Sequence, residues 1–178
     1  MKKFILLLIS GSVYALLATG CKEVGESNNR YVNKWIGTAS EGRVAPVASV
    51  PFGMMQIGAD TRPYGAGYHY QDPTVLGFSH LHKSGGGCAD FLDILFMPLP
   101  LNHPKGENEL YSKQYQAALS HQEEKAEPGY YSVNLYAGQL TVELTASRRC
   151  GLQRYRYDTG GEIPVVVDLK YGSESACT

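Results

Sequence analysis

The chain has 178 residues with 16 basic and 17 acidic side chains, so it carries almost no net charge. Proteins that bind nucleic acid usually show a basic stretch or patch, and no run of Lys or Arg here is longer than two residues. We therefore expect no nucleic-acid partner. Thirteen Tyr, one Trp and 20 Gly favour a loop-rich β protein whose aromatic rings suit a neutral ligand, although Tyr-rich β cores are common too.

The N-terminal 20 residues have the pattern of an export signal. Two Lys precede an almost wholly apolar stretch, residues 4–17, which is shorter than the roughly 20 residues of a membrane-spanning helix. Residues 17–21 (LATGC) resemble the bacterial lipobox, in which the signal is cut before the Cys. We predict lipid attachment at Cys21 and a flexible tether over residues 21–30. The alternatives are an ordinary signal peptide with an incidental Cys, or an uncleaved anchor.

The lipobox predicts a location in the bacterial cell envelope, on the periplasmic or the cell-surface side of the outer membrane. The membrane is then a partner through the lipid anchor. The remaining cysteines are Cys88, Cys150 and Cys177, an odd number, so at least one stays free or pairs outside the chain. A Cys88–Cys150 disulfide would suit an oxidising envelope, but spacing alone does not assign the pairing.

Hydrophobic patterning predicts mostly short strands. Residues 91–97 are apolar on both faces except for Asp93 and indicate a central strand, and only residues 111–127 could hold a helix. Residues 131–136 and 139–146 each alternate between apolar and polar side chains, with Ala-Gly at 137–138 between them. This pattern predicts a β-hairpin with one buried face.

The C-terminal part continues in the same way. Residues 153–157 alternate again, residues 158–161 (DTGG) indicate a turn, and residues 163–169 are apolar enough for a buried strand. Pro164 belongs near the start of that strand or on a sheet edge. Many short strands with turns between them predict an all-β fold, an antiparallel β-sandwich, over residues 31–178.

Short motifs follow one another closely between residues 31 and 98. They are residues 32–38 (VNKWIGT), 51–54 (PFGM), 60–62 (DTR), 67–70 (GYHY), 77–85 (GFSHLHKSG) and 88–95 (CADFLDIL). Residues 127–131 (EPGYY) and 143–149 (ELTASRR) also fit. In order and spacing they resemble the N-terminal domain of glycoside hydrolase family 92, a family of exo-acting α-mannosidases. The resemblance covers most of residues 31–169.

The resemblance implies a β-sandwich domain followed by a large (α/α)₆ helical domain, with the active site between them. It also implies a mannose-containing glycan substrate, inversion at the cleaved bond and a calcium cofactor. In the family the general acid, the general base and the main calcium ligands belong to the helical domain. We therefore expect no catalytic residue and no metal ligand in this chain, and no activity of this fragment alone. The helical domain is the expected partner, and the β-sandwich is expected to be incomplete at its C-terminal end.

Five residues in or between the motifs are predicted to bind substrate: Tyr64, Tyr68, His69, His80 and His82. Relatives of α-1,2 specificity carry a stacking Trp just before the 67–70 motif, whereas residues 62–66 of this chain are RPYGA. Tyr64 is the aromatic candidate for that place. The missing Trp, and Val47 where the family loop is usually Gly-rich, leave the linkage preference open.

Two histidines could suggest a metal site, and two aspartates could suggest an acid–base pair. His80 and His82 would share a face of a strand, as metal ligands sometimes do, but they could equally form backbone hydrogen bonds or contact the helical domain. Asp90 and Asp93 are three apart, so on a strand they would point to opposite faces and would not form an acid–base pair.

Two other functions remain compatible with the sequence. One is a non-catalytic glycan-binding lipoprotein that keeps the sandwich. The other is a structural sandwich unrelated to carbohydrate.

Overall fold

The structure, a computed structural model, describes residues 28–86, 91–101 and 115–172. The predicted signal and Cys21, and also Cys88, Asp90 and Cys177, lie outside these residues. The described strands all pair antiparallel. They are β1 (Gly58–Asp60), β2 (Thr74–Val75), β3 (Gly77–Ser79), β4 (Leu95–Pro98), β5 (Ala117–Ala118), β6 (Glu124–Glu127), β7 (Tyr130–Leu135), β8 (Leu140–Ala146), β9 (Gly151–Tyr157) and β10 (Val165–Asp168).

Helical structure in the described residues is limited to two short 3-10 turns, Asn28–Tyr31 and His121–Glu123. The first belongs to an N-terminal unit that ends at Tyr31, and the strands belong to a second unit that begins at Val32. No helix in the described ranges has the length and apolar character of a membrane span.

The strands form two four-stranded sheets, in the orders β1-β3-β4-β10 and β6-β7-β8-β9, and a small β2-β5 sheet. Buried apolar side chains from both larger sheets, such as Phe78 and Met97 with Val133 and Val142, belong to one core cluster. The predicted all-β antiparallel sandwich is therefore confirmed.

The second sheet, β6 to β9, is a simple meander. In β7 and β8 alternate residues are buried, and Val133 faces Val142 across the pair. The predicted hairpin is confirmed. Its turn places both Ala137 and Gly138 in the left-handed region, at φ 55° and 84°, a conformation that such hairpin turns often need.

Two predicted elements differ from the structure. The strand predicted over residues 91–97 is central, since β4 lies between β3 and β10, but it begins only at Leu95. Phe91 and Leu92 have φ of 74° and 48° and so leave the extended region. The helix considered for residues 111–127 does not form in residues 115–127. There β5 pairs with β2, and β6 pairs with β7.

The last predicted strand is correct in place but wrong in burial. β10 lies at the edge of its sheet, and Val165 and Val167 are 38% and 50% exposed. Pro164 precedes the strand, as predicted, and its carbonyl accepts a hydrogen bond from the Leu99 N–H.

Candidate functional site

Residues 61–72, which we call the 61–72 loop, connect β1 to β2 and contain most of the 60–62 and 67–70 motifs. The carbonyl of Gly67 closes the loop by accepting the N–H groups of Thr61 and Arg62 at 2.7 and 3.2 Å. Gly67 has φ 81°, and a Cβ there would lie 2.8 Å from both Asp60 Oδ1 and Leu92 Cδ2. This position requires glycine, since any side chain would both strain the backbone and collide.

Asp72 is the main anchor inside the loop. One carboxylate oxygen accepts the Thr61 hydroxyl at 2.6 Å and Arg62 Nε at 2.8 Å, and the other accepts Arg62 Nη2. The Thr61 hydroxyl in turn accepts the His69 N–H at 2.8 Å. Burial alone would raise the pKa of Asp72, but the hydrogen bonds from Arg62 and Thr61 lower it. Asp72 is therefore a charged anchor that ties three parts of the loop together.

Tyr64 lies at the exposed tip of this loop. Its residue is 58% exposed, and the guanidinium carbon of Arg62 lies 5.2 Å from the centre of its ring. That distance is within the range of a cation–π contact. The structure thus places Tyr64 where a ligand could reach it, and its contact with a sugar stays a prediction.

Tyr68, in contrast, points into the domain and is 2% exposed. Its hydroxyl donates to Glu124 at 3.0 Å, and the fully buried Glu124 carboxylate also accepts the Tyr131 hydroxyl and contacts His121 Nδ1. Burial, with the Glu124 charge adding to it, raises the pKa of Tyr68 well above its usual value. The Tyr68 phenol thus anchors the loop to the second sheet, and its contact with a sugar stays a prediction.

Aromatic rings surround this anchor. Trp35 stacks near Tyr68 at 6.5 Å and meets Tyr70 edge-on at 5.7 Å, and Tyr70 stacks on His121 at 3.8 Å. The Tyr70 N–H also donates to the carbonyl of Thr38 at 2.8 Å. The 32–38 and 67–70 motifs are thus joined by ring packing and a backbone hydrogen bond.

His82 is also buried, at 1% exposure. Its Nε2 lies 3.3 Å from Asp60 Oδ1, and its Nδ1 is hydrogen-bonded to the carbonyl of Gln56 at 2.8 Å. Burial alone would lower the pKa of His82, but the Asp60 carboxylate beside it raises it. The other Asp60 oxygen accepts the Ser79 N–H at 2.7 Å, so the pair ties β1, β3 and the chain after β3 together.

The other two histidines predicted to bind substrate, His80 and His69, are less buried than His82. His80 stacks on Phe96 at 5.3 Å, and its Nε2 lies 2.9 Å from the Gln153 amide nitrogen. Burial lowers the pKa of His80. His69 accepts the Gln71 N–H on Nδ1 at 3.2 Å.

His80 and His82 lie beyond β3 and contact different side chains. The expectation that His80 and His82 share one face of a strand is therefore wrong. Within residues 28–86, 91–101 and 115–172, no three His, Cys, Asp or Glu side chains form a group able to hold a metal ion. Asp93 and Cys150 are both exposed.

The sequence patterns did not identify the structural roles of the Asp72 and Glu124 carboxylates. Asp60 was named only as part of the 60–62 motif. The spacing of the 60–62 and 67–70 motifs was the one signal that pointed to this region. Nothing in the sequence pattern marks Glu124 as buried.

Comparison with known proteins agrees with this geometry. The family profile described as "Glycosyl hydrolase family 92 N-terminal domain" matches residues 31–177. A family 92 α-mannosidase from Bacteroides thetaiotaomicron, solved in complex with mannoimidazole, has a TM-score of 0.71 and 35% identity over 82% of this chain and 20% of that one. A family 92 inverting mannosidase from Bacteroides thetaiotaomicron VPI-5482 has a TM-score of 0.61 and 26% identity, over 81% of this chain and 20% of that one.

A curated relative from Arthroderma benhamiae, described as an uncharacterised secreted glycosidase, is 32% identical over 151 residues, which are 79% of this chain and 19% of the relative. The chain thus spans about a fifth of the length of these relatives. Because the family profile matches residues 31–177, well over half of the sequence, the chain belongs to glycoside hydrolase family 92 and contains its N-terminal domain.

Proposed function

We propose that this chain is the N-terminal part of an α-mannosidase that removes terminal α-mannose from glycans with inversion. The observation that carries the proposal is the 35% identity, over 82% of the chain, to a family 92 α-mannosidase solved with mannoimidazole. The similarity to an inverting mannosidase supports the stereochemistry.

The described carboxylates favour a supporting role for this domain. An inverting glycosidase needs an acid and a base roughly 6.5–9.5 Å apart on either side of the cleaved bond. Asp60, Asp72 and Glu124 are each already engaged by neighbouring side chains. We propose that the acid and base lie in a helical domain of the full-length protein, and that the 61–72 loop forms part of the wall that contacts the glycan.

Calcium belongs to the proposal for the full-length protein. A hard cation of this kind binds oxygen ligands, including sugar hydroxyls, and would help to orient the sugar ring. Since the described residues form no metal-binding group, we assign none of them as a ligand.

The decisive experiment uses full-length protein with aryl α-mannosides and α-mannobioses, followed by proton NMR. We expect release of mannose whose first-formed anomer is β, and loss of activity after chelation that calcium restores. Retention of the α anomer would overturn the inverting mechanism, and the absence of turnover on every α-mannoside would overturn the mannosidase proposal. The 178-residue chain alone, assayed beside it with calcium, should show no turnover.

We also propose that the protein is exported and anchored by lipid at Cys21. The support is the lipobox at residues 17–21, together with the description of one relative as secreted. Metabolic labelling with a fatty-acid analogue in a bacterial host should label the wild type and spare Cys21→Ala. Label retained on Cys21→Ala would contradict the assignment.

A further inference from the structure

The Arg62 guanidinium is held on two sides. Its Nε and Nη2 both donate to Asp72, and its central carbon lies 5.2 Å above the Tyr64 ring. The Arg62 and Asp72 side chains are only 24% and 20% exposed, whereas Tyr64 is 58% exposed. A half-buried ion pair therefore sits beneath an exposed ring.

Arg62 connects Asp72 to Tyr64, because it is hydrogen-bonded to the carboxylate and lies over the ring. A guanidinium bound through two nitrogens to one carboxylate has a fixed plane as well as a fixed place. Asp72 is itself fixed by the Thr61 hydroxyl, and its own N–H donates to the His69 carbonyl at 3.0 Å. Since the guanidinium lies over the Tyr64 ring, the ring's orientation follows from these bonds.

The same contact leaves one ring face open. Arg62 covers one face of Tyr64, so an apolar face of a sugar can stack only on the opposite face. We propose that Asp72 is a positioning residue, which acts through Arg62 to present the free face of Tyr64 to the sugar beyond the terminal mannose. This inference rests on the proposed mannosidase function, and it adds a specificity device that lies one contact away from the glycan.

The test uses the full-length protein with Asp72→Asn, Tyr64→Ala and the double variant. Glu143→Gln is the matched control, because Glu143 also accepts Arg154 Nε, at 2.6 Å, but lies in the other sheet. We expect Asp72→Asn to lower kcat/KM on mannobioses by about fivefold, mainly through KM, and to change aryl mannosides by less than about twofold. The double variant should lose no more than Tyr64→Ala alone, since Asp72 acts through that ring.

A second readout needs no turnover. The His69 N–H is bonded to Thr61 Oγ1, which Asp72 holds, so Asp72→Asn should speed hydrogen exchange in peptides from the 61–72 loop. Glu143→Gln should leave that exchange unchanged. Unchanged loop exchange in Asp72→Asn would overturn the positioning role even if the protein hydrolyses no mannoside.

The failures of the two proposals are distinguishable. A wild type without turnover on any α-mannoside overturns the proposed function. An active wild type whose Asp72→Asn variant loses equal activity on both substrate types, or whose double variant shows additive losses, overturns this inference and leaves the mannosidase proposal standing.

Discussion

Two regions of this domain are stabilised in different ways. The meander, β6 to β9, depends on regular backbone pairing and on apolar side chains that alternate in and out. The polar region, residues 58–82, has short strands, and its fixed points are the buried or braced carboxylates Asp60 and Asp72. Burying a charged group costs free energy unless it is paired, and both carboxylates have partners here. The polar region therefore depends on side-chain pairs, and not on long strands, to hold its exposed loop in place.

Glu124 joins the two regions. It begins β6 of the meander, yet its buried carboxylate accepts the hydroxyl of Tyr68 from the polar region as well as that of Tyr131 from β7. Glu124 therefore links the loop that carries Tyr64 directly to the meander.

The largest expected effect comes from breaking the buried pair in the polar region. His82→Leu leaves the Asp60 carboxylate buried without its partner, which should destabilise the domain by about 3–5 kcal/mol. Because the folded-state pKa of His82 is raised, the pair's contribution is fully present below about pH 6.5 and falls as pH rises through the folded pKa. Urea unfolding below and above neutral pH checks both points. An effect within 0.5 kcal/mol, typical of surface changes, would contradict the assignment.

Breaking the link between the regions should cost less. Tyr68→Phe removes the hydrogen bond that reaches the buried Glu124 from the polar region and should destabilise the domain by about 1–3 kcal/mol. Tyr131→Phe removes a bond to the same carboxylate from within the meander. It should have a similar effect, and the two losses should not add, since both hydroxyls share one acceptor. A double-mutant cycle by urea unfolding measures this coupling. Strict additivity would mean that the two regions are stabilised independently.

A smaller effect is expected from pH at Asp72. Its pKa is lowered in the folded state, so its contribution to stability is present above the unfolded-state value of about 4 and is lost as pH falls towards the folded pKa. The stability difference between wild type and Asp72→Asn should therefore shrink in acid. A difference that stays constant from neutral pH down to pH 3 would show that the Asp72 charge does not stabilise the loop.

The smallest effect on stability belongs to Tyr64. Because the ring is mostly exposed, Tyr64→Ala should change the free energy of unfolding by no more than about 0.5 kcal/mol. In the full-length enzyme it should lower kcat/KM on mannobioses by about tenfold, which corresponds to 1.4 kcal/mol, with less loss on aryl mannosides. Equal losses on both substrates, together with a lower melting temperature, would assign Tyr64 a purely structural role.

The meander could be predicted because its pattern is local. Alternation over residues 131–146 is enough to define a hairpin with one buried face, and the structure confirms it. Residues 163–169 misled because an apolar run does not reveal whether its strand is central or at an edge. The helix considered for residues 111–127 does not form in residues 115–127, because pairing with other strands decides the conformation there. β5 pairs with β2, which is remote in sequence, and β6 pairs with β7.

The candidate site was harder to predict for a related reason. Tyr64 is exposed, whereas Tyr68 and His82 are buried, and no local pattern distinguishes a buried polar side chain from a solvated one. Their partners lie far away in sequence; Tyr68 and its partner Glu124 are 56 residues apart. Only the folded arrangement shows that these side chains support the loop.

Gly67 has a consequence for engineering this domain. Its backbone conformation, and the collision that a Cβ there would make with Asp60 and Leu92, mean that a mutant library should leave Gly67 unchanged. Asp72 should be left unchanged as well. The tip is different, because Tyr64 is exposed. Gly65 beside it has open space for a Cβ, but its φ of 65° favours keeping glycine there. New linkage preferences are therefore best sought by varying residue 64 first, where sequence change is cheapest for the fold and nearest to the proposed glycan.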